Sequence, residues 1–175
     1  MPTAGIFVLR DAMVVHAPIE RCFQLSTCLE IVEQDLGMRP VRGRTSGCVT
    51  AGDTVLWRGW QFGLPQMHES RIDPFEPPVY FRDFMIRGRF ATFEHDHHFL
   101  DRGDGTTLLR DELRFTMRWG FVGLLVGRVL IVPHIRGLMR RRFARLKRIA
   151  EGSDWTRYLS AEPVLAASAS STRSA

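Results

Sequence analysis

The chain has 175 residues, a net charge of +5, and 45% hydrophobic against 25% charged residues, the balance of one globular domain and not of a fibrous or disordered chain. Its three cysteines, Cys22, Cys28 and Cys48, are odd in number and contain no Cys-x-x-Cys pair, which argues against a disulfide framework or a zinc finger and fits free thiols in a reducing compartment. The start lacks the basic, apolar and small-residue order of a secretory signal, and the longest apolar run, 119–133, is interrupted by Arg128 and falls short of the roughly 20 residues of a membrane span. The expectation is a soluble, cytoplasmic protein.

The first element is a strand over 7–16, carrying Val8, Val14 and Val15. Pro18 suits a first helical position and Glu20 a first turn. Two short helices are therefore expected over 18–25 and 27–36, stopped by Gly37. From 38 to 119 glycine and proline turn signals alternate with strand-like runs at 54–62, 66–73, 79–86, 90–100 and 106–119, the pattern of an antiparallel meander. The last run alternates most clearly. Asp111, Leu113, Phe115, Met117 and Trp119 fall on one face, and Arg110, Glu112, Arg114, Thr116 and Arg118 on the other. One face is wet and the other covered.

The cover is a helix over 121–151, where Ile135, Leu138, Met139, Phe143, Leu146 and Ile149 recur at helical spacing. Pro133 should kink or split it near Val132, and Gly152 should end it. This order predicts an α+β, helix-grip architecture: a curved antiparallel sheet of six to seven strands around a long C-terminal helix, with two short helices after strand one. The folded domain spans 1–152, followed by a flexible tail over 153–175, whose stretch 161–175 is mostly Ala and Ser. Space that sheet and helix leave between them becomes packed side chains or a pocket.

The positive charge is concentrated. Arg136, Arg140, Arg141, Arg142, Arg145, Lys147 and Arg148 share one segment and read as the polar face of one helix, with no nucleic-acid partner implied. Placed behind the apolar stretch 121–132, they also suit peripheral contact with an anionic membrane surface.

The element order is similar to that of the START-like superfamily, which includes lipid-transfer domains and polyketide cyclase/dehydrase-like proteins. His16-Ala17-Pro18-Ile19-Glu20-Arg21-Cys22-Phe23 resembles the start of that family, where the first strand enters the first helix. A bacterial subgroup is resembled more closely through Phe81-Arg82-Asp83, Gly88, Phe93-Glu94-His95-Asp96-His97-His98-Phe99 and Thr107-Leu108-Leu109-Arg110-Asp111. Arg89 departs from the small residue or proline expected after Gly88. The resemblance covers about residues 7–150 and implies a fold and a cavity, without fixing a reaction.

Phe93, His95, His97 and Phe99 share one face of their strand. Pairing through the 101–105 turn would set His97 or His95 against Asp111, with Asp83 arriving from the preceding strand. Such a cluster can be a satisfied buried network, a polar anchor at the end of an apolar pocket, or an acid–base or metal site. His95, His97 and Asp111 are the catalytic candidates. Asp83, Phe93, His95, His97, Phe99, Asp111, Phe115 and Met117 are the candidate ligand-binding residues. Trp57, Trp60, Phe62, Phe81 and Trp119 are further possible pocket walls. The favoured function is binding of an apolar small molecule, a lipid or an aromatic polyketide-like compound, by a carrier or sensor that needs no cofactor and no metal. The alternatives are a cyclase or dehydratase built on the His–Asp cluster, and a membrane-surface module built on the basic helix.

Overall fold

The computed structural model describes residues 5–159. Strand β1 (Ile6–Val15) leads into α1 (Ile19–Thr27) and α2 (Leu29–Leu36). Gly37, at φ +62°, ends α2 in the left-handed region open to glycine. Six strands follow: β2 (Met38–Gly43), β3 (Thr54–Gln61), β4 (Leu64–Glu76), β5 (Tyr80–Arg87), β6 (Thr92–Asp101) and β7 (Thr107–Thr116). They form one antiparallel sheet in the order β1-β7-β6-β5-β4-β3-β2. Every neighbour except the β1–β7 pair is sequential, as a meander requires. The strand β2 was not visible in the sequence, where Pro40 and its charged neighbours hide an edge strand with a bulge between Pro40 and Arg42.

The alternation in β7 is realised. Thr107, Leu109, Asp111, Leu113 and Phe115 are buried, while Arg110 on the opposite face is exposed. Opposing them is the helical segment from Gly120 to Glu151, composed of α3 (Gly120–Val126), a π-helical stretch Gly127–Ile131 and α4 (Val132–Glu151). Pro133, expected to kink or split the helix near Val132, lies in the first turn of α4. Its missing N–H and bulky ring are accommodated where the preceding turn is widened, so the helix runs through. Gly127 sits where an added Cβ would come within 2.6 Å of the Phe7 ring, so only glycine lets this turn pack so close to β1.

Two apolar clusters form the core. One gathers Val15, Phe23, Leu25, Phe81, Phe99, Leu109, Phe143 and Leu146 between α1, the sheet and the end of α4. The other gathers Leu9, Leu113, Phe115, Ile135 and Met139. The folded chain continues past 152 into α5 (Trp155–Leu159), whose Trp155, Tyr158 and Leu159 pack on the first cluster, with Arg21 stacked 4.3 Å over the Trp155 ring. The expectation of a tail from 153 thus holds at most for residues beyond α5, and its Ala- and Ser-rich stretch lies outside the described residues. Phe143 is fully buried at the contact of helix and sheet. Phe143→Ala should destabilise the protein by about 3–5 kcal/mol in urea unfolding.

Candidate functional site

Strand register builds the site. Across β5, β6 and β7, Asp83 stands opposite His95 and His95 opposite Leu113. One row along, Phe81 stands opposite His97 and His97 opposite Asp111. Two adjacent cross-strand rows on the covered face therefore bring together one aromatic ring, two imidazoles and two carboxylates.

At the end of the second row lies Asp111, almost inaccessible to solvent, with three side chains around its carboxylate. The Arg142 guanidinium donates to its Oδ2 at 2.7 Å, and His97 Nδ1 lies 2.9 Å from its Oδ1. His95 Nε2 lies 3.3 Å from Oδ2, a longer contact that is not a hydrogen bond. Burial alone would raise the Asp111 carboxyl, yet its interactions with His97 and Arg142 outweigh it and hold the group well below the usual carboxylate range. An ionised Asp111 accepts, so neutral His97 carries its proton on Nδ1 and donates it. Burial, reinforced by His95 and Arg142, pushes His97 down to about 3 despite the nearby carboxylate. The core of the cluster is thus a fixed ion pair with a neutral imidazole leaning on it.

In front of the cluster a cavity of about 190 Å³ opens between the sheet, α2 and α4. Val32, Leu36, Val55, Trp57 and Ile72 wall one side, and Phe90, Phe93, Leu113, Ile135 and Met139 the other. Phe62, Met67 and Arg89, all exposed, mark its mouth. Polar groups facing it include His68, Asp83, His95, His97 and Arg142. His68 packs edge-on to Phe93, with ring centroids 5.3 Å apart, and burial lowers its proton affinity although Asp83 pulls the other way. Two side-chain atoms of this group, Asp83 Oδ1 and His95 Nε2, are buried without a hydrogen-bond partner.

Of the residues picked from sequence, Asp83, Phe93, His95 and His97 line the cavity. Asp111 sits behind His97 as its support. Phe99, Phe115 and Met117 are elsewhere: Phe99 packs on Phe23 and Phe81 in the first core cluster, Phe115 is stacked 4.9 Å from Phe7, and Met117 lies past the end of β7 beside Gly127. Period-two alternation places them on the covered face, but α1 and the helix cover the two ends of the strands and leave only the middle rows facing the cavity. Trp57, Phe62 and Phe81 also contribute to the lining, whereas Trp60 and Trp119 are exposed.

Arg142 was missed as a site residue, although the sequence carries its signal. The helix stripe Ile135, Met139, Arg142, Leu146, Ile149 steps by four and three, so one arginine stands in an apolar row. A buried Asp111 demands such a cation.

His95, His97 and Asp111 also place one donor atom each within 4.8 Å of one another, near enough for one metal ion. The Arg142 guanidinium already occupies Asp111 Oδ2 and opposes a second cation there.

No protein-family model and no curated protein matches the sequence. Solved structures do. A protein of Thermus thermophilus superposes with a TM-score of 0.59 at 19% identity, over 90% of this chain and 100% of that one. A START superfamily protein of Mycobacterium smegmatis gives 0.61 at 12%, over 81% and 98%. A point mutant of norcoclaurine synthase from Thalictrum flavum, in complex with a transition-state analogue, gives 0.64 at 9%, over 86% and 97%. Sheet, helices and element order define an α+β helix-grip domain. Its fold is START-like.

The depressed proton affinities of His97 and Asp111 make the folded state sensitive to acid. A group whose folded pKa is lowered stabilises the fold above its ordinary pKa, and that stability is lost as pH falls towards the folded value. His97 should therefore drain stability from about pH 6.5 downward, at up to about 1.4 kcal/mol per pH unit between pH 6 and 4. In urea titrations across that window, His97→Asn, which keeps a donor for Asp111, should flatten the slope by about one proton's worth.

Proposed function

We propose that the protein holds an apolar small molecule in this cavity, as a carrier or sensor. The observation behind this reading is a largely apolar chamber whose lining includes Asp83 Oδ1 and His95 Nε2, both buried without a hydrogen-bond partner, as are Ser26 Oγ, Asp35 Oδ2 and His134 Nε2 elsewhere around it. An unpartnered buried polar group costs about 1–3 kcal/mol. A ligand hydroxyl offers both remedies, donating to the Asp83 carboxylate and accepting from His95 when its Nε2 bears the proton. A cavity of about 150 Å³ takes up a benzene ring, so one of about 190 Å³ suits a ligand, or a ligand portion, of one to two rings. The norcoclaurine synthase structure, with its transition-state analogue, is a protein of like fold that takes up a small molecule.

Acid–base chemistry on the His–Asp cluster is the weaker alternative. Asp111 is committed to Arg142 and His97, and a His97 with affinity near 3 makes a poor base at neutral pH. A thermal-shift screen of one- and two-ring phenols and alcohols beside their hydroxyl-free parents tests the reading. Hydroxylated compounds should stabilise the protein more than their parents. His95→Phe should weaken only the hydroxylated ones, by about tenfold for one lost hydrogen bond. Turnover of a bound compound that vanishes in His97→Asn would favour an enzyme, and the absence of any stabilising compound would count against the cavity as a binding site.

A second reading, contact with a membrane surface, is favoured by the exposed apolar side chains of α3, the π-helical stretch and the β3–β4 turn. Trp119 and Phe121 are exposed at 72% and 79%, and Val122, Leu125, Val129 and Leu130 are exposed beside them on the helix. Across the mouth, the β3–β4 turn presents Trp60, Phe62 and Leu64, with Phe62 packed 4.6 Å from His134 of α4. No Asp or Glu occurs over 54–68 or 113–150, while Arg58, Arg118 and Arg128 stand in these same segments. Tryptophans with arginines suit an anionic interface. By length and composition the helix Gly120–Glu151 would also pass as a span, but α4 buries Ile135, Met139, Phe143, Leu146 and Ile149 within the domain. The apolar half alone would lie along the surface. In sedimentation with vesicles, the protein should bind phosphatidylglycerol-containing bilayers and lose at least tenfold in the double variant Phe121→Asp, Leu125→Asp. Equal binding by that variant would sink this reading, and so would self-association through the patch without any affinity for vesicles.

A further inference from the structure

Cys28 joins α1 to α2, and Cys48 lies in the loop before β3. The two residues form an isolated antiparallel pair outside the sheet. Their flanking hydrogen bonds run from Leu29 N to Gly47 O and from Val49 N to Thr27 O, each 3.0 Å. This pattern leaves Cys28 and Cys48 as a non-hydrogen-bonded pair, the class in which Cα atoms approach to about 4.5 Å and side chains lie closest. That spacing falls inside the range a disulfide spans. Both thiols converge on one acceptor, the Gln24 carbonyl, at 3.2 Å from Cys28 Sγ and 3.7 Å from Cys48 Sγ. Cys48 is partly exposed, so an oxidant can reach it, whereas Cys28 is buried behind it. Cys22 is turned elsewhere, towards the Ala17 carbonyl.

We propose that Cys28 and Cys48 are a reversible dithiol–disulfide site, oxidised by a small-molecule disulfide. The division of labour follows from exposure. The Cys48 thiolate attacks one sulfur of the oxidant, whose S–S bond breaks and releases one thiolate. Cys28 then gives up its proton and attacks Cys48 Sγ in the mixed disulfide, expelling the second thiolate. The protein loses two hydrogens and two electrons, and the oxidant becomes two thiols. The neighbouring Cys28 side chain lowers the Cys48 thiol to about 7, whereas that contact and burial raise Cys28, so Cys48 is the thiol suited to the first step.

The bond would clamp both ends of the segment that contains α2 and β2. Leu29, Val32, Leu36 and Met38 of that segment line the cavity, and Thr27 and Val49 beside the two cysteines line it as well. Oxidation would therefore brace one wall of the chamber whatever the chamber holds.

Glutathione buffers of graded reduced-to-oxidised ratio test this on the full chain. Intact mass should fall by two hydrogens, and peptide mapping should place the link between Cys28 and Cys48. The unfolding temperature should rise by roughly 6–12 °C, the effect of closing a loop of this length in a domain of this size, and dithiothreitol should reverse it. Cys22→Ala should behave as the parent, and Cys48→Ser should show neither the mass change nor the rise. Three outcomes would overturn the proposal: an unchanged mass in the fully oxidised buffer, a glutathione adduct on Cys48 that never resolves, or a link that includes Cys22.

Discussion

Asp111 and Arg142 meet inside the molecule, one from the middle of the sheet and the other from the helix laid across it. Neither charge has enough water around it to stand alone. Removing one partner of such a pair strands the other at a cost of about 3–5 kcal/mol. The intact pair need not add much net stability, since two ions were dehydrated to make it. Its effect is on geometry. It pins the rotation of α4 about its own axis, because Arg142 reaches Asp111 only when the stripe through Ile135, Met139 and Leu146 faces the strands. It also fixes His97, whose ring must present Nδ1 to the same carboxylate.

That constraint explains why the interior is not filled throughout. One apolar cluster builds outward from α1 and the end of α4, the other from β1 and the start of α4. The ionic pair lies between them, and side chains that would close the gap are replaced by polar ones held back against the strands. The chamber is thus flanked by dense packing at both ends and floored by charges whose partners are already chosen. Its free hydrogen-bonding capacity lies at Asp83 and His95 beside the ion pair and at Ser26, Asp35 and His134 around it.

Much of this was legible in the amino-acid sequence. Charged and apolar residues alternate so regularly in β7 that its covered face, its pairing with β6 through the 101–105 turn, and the meeting of one of two histidines, His95 or His97, with Asp111 could all be read from spacing. Sequence periodicity reports which face a residue occupies and not how far along the strand the covering helix extends, so Phe99, Phe115 and Met117 were assigned to the chamber when they belong to its packed ends. Arg142 was read with its neighbours as surface charge, because a run of arginines hides the single one that falls in the apolar row. The strand β2 escaped because Pro40 and a bulge erase its alternation. The pairing of Cys28 with Cys48 had no sequence signal at all, since it depends on a loop folding back outside any regular ladder.

The π-helical stretch Gly127–Ile131 separates the helix into two parts with different tasks. A π turn holds one residue more than the α-helical turn it replaces, and each residue in an α-helix advances the azimuth by about 100°. Losing one residue from that stretch would swing the greasy segment around its axis while leaving Arg142 and the packed stripe of α4 undisturbed. A single insertion or deletion there would re-aim the exposed apolar segment without renegotiating the interior. The two ends of one helix are free to diverge at different rates.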